Sequence, residues 1–152
     1  MPQNSTCQCT MCRKFTGALL PQGISLPTSY ISPPLPSNET YKSYQSSPTA
    51  YRSFCSNCGS SLAFNYNRCP EVTEIYHGSL DEEVLCGKKV AGAEDGTISK
   101  REGSDIGYDL CKARNHNWID NSIKGITDKD KGEGNLYLRG SDVPVRGLNA
   151  SV

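Results

Sequence analysis

The chain has 152 residues, with 16 basic and 16 acidic side chains and a formal net charge of zero. Its length suits one ordinary domain, and its charge balance argues against a nucleic-acid face or a polybasic membrane anchor. Hydrophobic residues reach only 36%, so the core is modest and a covalent or metal staple is expected; eight cysteines can supply one.

In chain order, the first six residues, MPQNST, show neither the basic nor the apolar stretch of a secretory leader. No run of about 18 apolar residues follows anywhere, so no membrane-spanning helix is expected. These features predict a cytoplasmic, reducing setting, where clustered cysteines bind metal more often than they pair. Residues 7–17, CQCTMCRKFTG, are dense in cysteine. Prolines at 21, 27, 33, 34 and 36 exclude a long helix in the next stretch. Residues 41–45, YKSYQ, alternate and predict a strand. Residues 51–66, YRSFCSNCGSSLAFNY, predict strand, tight turn and strand. Residues 73–80 predict another strand, and Leu80–Glu83 a helical turn. Residues 86–115 are polar and glycine-rich without a period, which predicts an insertion, loop or disorder. Trp118, Ile119, Ile123 and Ile126 suit one face of a short helix. Residues 127–135 predict a solvated loop and Leu136–Leu138 a last strand. The sum is a small, mainly β domain over residues 5–140, with a polar insertion at 86–115 and a flexible tail at 141–152.

The cysteine spacing carries the strongest chemical signal. Cys7, Cys9 and Cys12 form C-x-C-x-x-C, and Cys55 and Cys58 form C-x-x-C-G. A Cys-x-x-Cys turn sets two sulfurs on one side of a tight loop, and Gly59 supplies a permissive backbone after it. Such turns are the usual source of tetrahedral zinc–thiolate sites. Separate disulfides are the bland alternative, weakened by the missing secretory leader. A thioredoxin-like redox pair is weaker still, because no βαβ pattern surrounds Cys55 and Cys58.

The segment CQCTMCRKFTG resembles the C-x-C-x-x-C-[R/Q]-[K/R]-x-T-G motif of the glutathione-dependent formaldehyde-activating enzyme and centromere protein V family. SFCSNCGSSLAF at 53–64 is similar to its F-C-x-x-C-G-S-x-L segment. Gly78–Asp81 is similar to its G-[S/T]-L-D segment, and HNWIDNSIKGIT at 116–127 to its closing H-x-W-[V/I] stretch. The resemblance implies a zinc-binding β-tent of antiparallel sheets. It implies a catalytic zinc at Cys7, Cys9 and Cys12, with one coordination position open. It also implies a second, structural zinc, half of which matches Cys55 and Cys58. The family's upstream G-x-C-x-C-G strand has no counterpart in the six residues before Cys7, so the N-terminal strand is expected to be missing and the second site incomplete. The implied activity is a carbon–sulfur lyase-type reaction on S-(hydroxymethyl)glutathione, with glutathione as partner. A non-catalytic zinc domain for protein interaction, or an inactive paralogue, are the alternatives.

Other candidates carry less. Arg13 and Lys14 can meet glutathione carboxylates, but a solvated basic pair is the plainer reading. His77 and His116 read as packed histidines, and Asp81 as a turn or helix cap. Ser60 and Ser61 have no visible base partner.

Overall fold

The structure is a computed structural model that describes residues 3–91, 98–103, 106–128 and 134–140. The predicted tail at 141–152 lies outside the described residues. Ten strands are described: β1 (Gln3–Cys7), β2 (Gln22–Pro27), β3 (Tyr41–Ser47), β4 (Ala50–Cys55), β5 (Ser61–Tyr66), β6 (Cys69–Tyr76), β7 (Lys88–Ala91), β8 (Lys100–Glu102), β9 (Asn115–Asn117) and β10 (Asn135–Tyr137). Three short helices join them: α1 (Thr10–Thr16), α2 (Glu82–Cys86) and α3 (Ile106–Cys111). None of the described helices is long and apolar enough to cross a membrane.

Eight strands form one sheet in the order β10-β9-β1-β2-β6-β5-β4-β3, and β7 and β8 pair separately. The mainly β expectation therefore holds. The hairpins fall where short polar turns separate alternating runs, as between β3 and β4 and between β5 and β6. The expectation of antiparallel sheets needs one correction. β9 pairs in parallel with both β1 and β10, because the long return from β6 brings this edge back in the same direction.

Register sets the functional face. Tyr44 lies opposite Arg52, Arg52 opposite Phe64, Phe64 opposite Glu74, and Glu74 opposite Ser25. Opposed residues share a face, so these side chains form one row. Two residues along, Tyr76 lies opposite Gly23, and Gly23 opposite Ser5. Gly23 is required there: a Cβ would stand 2.8 Å from Glu74 Cγ and Oε1. The adjacent row, Ser53, Ala63 and Ile75, faces the other way, with Ser53 and Ala63 fully buried.

The core is small and unusually polar. Ala50, Ala63, Tyr76, Leu110, Ala113, Ile119 and Leu136 are buried, but so are Thr6, Gln8, Arg52, Thr73, His77 and His116. Buried polar groups need partners. Thr6 Oγ1 meets His116 Nδ1 at 3.0 Å, binding β1 to β9.

Residues 86–115, expected to lack regular structure, carry β7, β8 and α3. A local cause is Gly87, whose φ of 78° ends α2 and redirects the chain into β7. The predicted helical face at 118–126 is also corrected. Trp118 sits at φ 60°, in the left-handed region, so the chain makes a single 3-10 turn at Ile119–Asn121. Ile119 is buried there while Ile126 is exposed.

Candidate metal centre

β1 ends at Cys7 and the chain turns at once into α1. Cys9 is the N-cap of that helix, and its Sγ accepts the backbone N–H of Cys12 at 3.2 Å. Gly17, at φ 68°, stops the helix and donates to Arg13 O at 2.8 Å. The C-x-C-x-x-C spacing therefore places one sulfur at a strand end, one on the cap and one in the first turn.

The Sγ atoms of Cys7, Cys9 and Cys12 all lie within 4.8 Å of one another and can hold a metal ion. All three thiols are free. Zinc–thiolate bonds of about 2.3 Å put tetrahedral sulfurs roughly 3.8 Å apart, so small side-chain shifts suffice. Thiols this close do not ionise independently. Hydrogen bonds from Cys12 and then Cys7 push the Cys9 thiol down to about 2. Cys7 is pushed up, first by its bond to Cys12, then by its bond to Cys9 and burial.

Side chains from the sheet reach the sulfurs. Arg52 Nη2 donates to Cys12 Sγ at 3.4 Å, and the Tyr76 hydroxyl lies 3.9 Å from the same sulfur. Burial first, then the neighbouring Cys12, pushes the Tyr76 phenol up. Phe15 packs against Tyr44 and Tyr76 with ring centroids 6.1 and 5.7 Å apart. Sequence reasoning missed Arg52 and Tyr76, because only strand register brings them to the loop.

Gln8 was missed too. It sits between two cysteines, yet its side chain is buried. Its Oε1 accepts from Thr127 Oγ1 at 2.6 Å and Arg13 Nη2 at 2.8 Å, and its Nε2 donates to Ser122 Oγ at 3.1 Å. The 122–127 segment thus clamps the cysteine loop. Arg13 also donates from Nε to Leu19 O. It is a bracing residue rather than half of a solvated pair, whereas Lys14 is exposed.

The structure places Cys55 and Cys58 apart from this cluster, in the turn between β4 and β5. Gly59, at φ 78°, donates to Cys55 O at 2.8 Å and closes the turn. The side chain of Thr40, then the backbone N–H groups of Cys58 and Asn57, lower the Cys55 thiol to about 7. Among the described residues, no third metal-ligating side chain joins this pair. His77 and His116 are buried, and burial lowers both. Asp81 is the N-cap residue of α2, without a side-chain cap bond.

The family model of the glutathione-dependent formaldehyde-activating enzyme matches residues 1–94. The chain belongs to this family. The match spans the three-cysteine loop, the Cys55–Cys58 turn and strands β1–β7 of this formaldehyde-activating-enzyme family member, and ends before 116–127. A search of curated proteins found no match.

Glu74 lies on the site face of this family member. Its carboxyl is pushed up to about 7 by burial, against hydrogen bonds from Ser5 and Ser25 that lower it. The folded chain keeps this proton where an unfolded glutamate, near 4.5, has lost it. The stability linked to it is full below that lower value and is lost as pH rises through the upper one. Urea midpoints at about pH 5 and about pH 8 are expected to fall further in the wild type than in Glu74→Gln. The difference should amount to roughly 1–3 kcal/mol. Identical pH dependence of the two proteins would remove this assignment.

Proposed function

We propose that the chain is a zinc-dependent carbon–sulfur lyase-type enzyme that joins or separates formaldehyde and a glutathione-type thiol. The observation that carries this reading is the cluster of three free thiols on the C-x-C-x-x-C loop of a family member. Three thiolates are a soft, anionic donor set, which suits zinc. When bound, zinc supplies an open position for a soft sulfur ligand. Cys7, Cys9 and Cys12 would hold it, α1 would fix their spacing, and the Gln8 clamp would keep the loop shut against the sheet.

The balanced reaction forms one carbon–sulfur bond between the thiol and the carbonyl carbon, and the thiol proton ends on the former carbonyl oxygen. The reverse breaks that bond and regenerates thiol and aldehyde. Phe15, Tyr44 and Phe54 make an aromatic wall near the loop, suited to excluding water from the reacting sulfur. Cys55 and Cys58 are taken as half of an incomplete second zinc site, two of the four ligands a structural zinc takes. Residues 5–140 are taken as one domain with an insertion at 86–115, working in the cytoplasm.

NMR exchange spectroscopy of glutathione and formaldehyde tests this reading, because it sees interconversion at equilibrium. Zinc-loaded protein should raise the exchange rate above that of the same mixture with zinc-free protein. Equal rates would overturn the catalytic reading.

A further inference from the structure

Arg52 presents a physical problem that the fold alone does not solve. The residue is 4% exposed, yet among the described residues no carboxylate lies within ion-pair distance of it. Burying an unpaired cation is costly. Its surroundings are aromatic, with the guanidinium carbon 5.2 Å from the Phe64 ring centroid and 5.9 Å from that of Phe15. Cation–π contact offsets part of the cost. One end of the fork is anchored by Nη1 donating to Ser46 Oγ. The other end, Nη2, donates to Cys12 Sγ. Nε has no partner. Glu74 stands beyond Phe64 in the same row, outside ion-pair distance, and feels the guanidinium only through longer-range attraction. The group that answers the guanidinium directly is therefore the sulfur cluster.

We propose that Arg52 is the positioning residue that makes the three-thiol centre select an anionic fourth ligand. The inference rests on the metal reading above. Zinc with three thiolates carries one net negative charge, and a thiolate in the open position adds another. Repulsion between them opposes that state and leaves a neutral ligand untouched. A fixed guanidinium at hydrogen-bond distance from one sulfur compensates the charge in a low-dielectric setting, where such interactions are strong. The Ser46 anchor and the aromatic cage prevent the arginine from swinging to solvent. The site would thus prefer a thiolate to water or imidazole, which is the selectivity a thiol-dependent reaction needs. Arg52 acts here through the centre and does not touch the reacting carbon.

Cobalt(II) in place of zinc tests this in the full chain, because its visible absorption reports the fourth ligand directly. The probes are 2-mercaptoethanol, bound as its thiolate, and imidazole, bound neutral. In Arg52→Met and Arg52→Gln, 2-mercaptoethanol should bind about tenfold more weakly or worse, and imidazole within about threefold of wild type. Arg52→Lys should restore most of the thiolate preference, since it keeps the charge and loses only the fork. Ser46→Ala, which leaves the cation in place but loosens its anchor, should fall between. Equal weakening of both probes would mean that Arg52 merely supports the fold, and the proposal would fall. Unchanged binding of both would also end it. If the wild type binds no cobalt, the metal reading itself fails, an outcome distinct from a wild type that binds cobalt with variants that match it. Should the two neutral variants not fold, Arg52→Lys and Ser46→Ala decide, and a Ser46→Ala protein with wild-type selectivity overturns the proposal.

Discussion

Serine in place of Cys9 is expected to abolish tight metal binding while leaving the fold intact. Cys9 has two separable roles. It contributes one of the three clustered sulfurs, and it caps α1 by accepting the Cys12 backbone N–H. Serine is among the best N-cap residues, so the helix start is preserved. A serine hydroxyl, however, does not ionise near neutral pH and is a hard ligand, so the soft three-sulfur set is broken. Elemental analysis should find zinc in the wild type and almost none in Cys9→Ser. Chelator competition should show an affinity loss on the order of a thousandfold, since structural zinc–thiolate binding free energies are large. Circular dichroism of the zinc-free proteins should superimpose. Retention of wild-type zinc in Cys9→Ser would mean that the metal sits elsewhere.

The second large effect concerns Gly107, in the first turn of α3. Here α3 crosses α2 so closely that a Cβ would lie 2.1 Å from Leu85 O and 2.9 Å from Leu85 C. Both are backbone atoms, and neither can rotate away. Gly107→Ala must push α3 off α2, and α3 carries the buried Leu110. A loss of about 2–4 kcal/mol is expected in urea unfolding, typical of overpacking against a backbone. Gly103→Ala is the matched control. Its φ of 105° strains an alanine, but no atom of the described residues lies within 4 Å, so its cost should stay at about 1 kcal/mol. If Gly107→Ala unfolds no more easily than Gly103→Ala, the close helix crossing is not a stabilising feature.

Local chemistry made part of this molecule legible beforehand. β3 to β6 follow from short alternating runs separated by turn residues, and the Cys55–Cys58 turn from Gly59. The clustering of Cys7, Cys9 and Cys12 is written in their spacing, because one strand end and one helix cap fix all three. The remaining parts of the site depend on pairing. Arg52 reaches Cys12 only because β4 shares one sheet with β1 and β2, the strands that α1 joins, and neither sequence distance nor composition encodes that pairing. Gln8 looks like a spacer between cysteines, and its clamp depends on Ser122 and Thr127 returning from far along the chain. β9 and β10 have three residues each, too few for a period to be visible. The left-handed Trp118 defeated the helical reading of 118–126, since its neighbours have the right spacing and the wrong backbone.

The position of β1 also bears on how the molecule is made. β1 is synthesised long before β9, yet one of its two edges pairs with β9, and Thr6 meets a histidine 110 residues away. Such distant pairing raises contact order and slows folding. Until residues 115–117 leave the ribosome, β1 presents a row of unpaired N–H and C=O groups to neighbouring nascent chains. That is the arrangement by which sheets aggregate edge to edge. A chain ending at residue 94, which would include every residue of the family match, should for this reason self-associate. The late strand acts as a cap on an adhesive edge, and the cysteine loop, continuing straight out of β1, stays open to oxidation until that cap arrives.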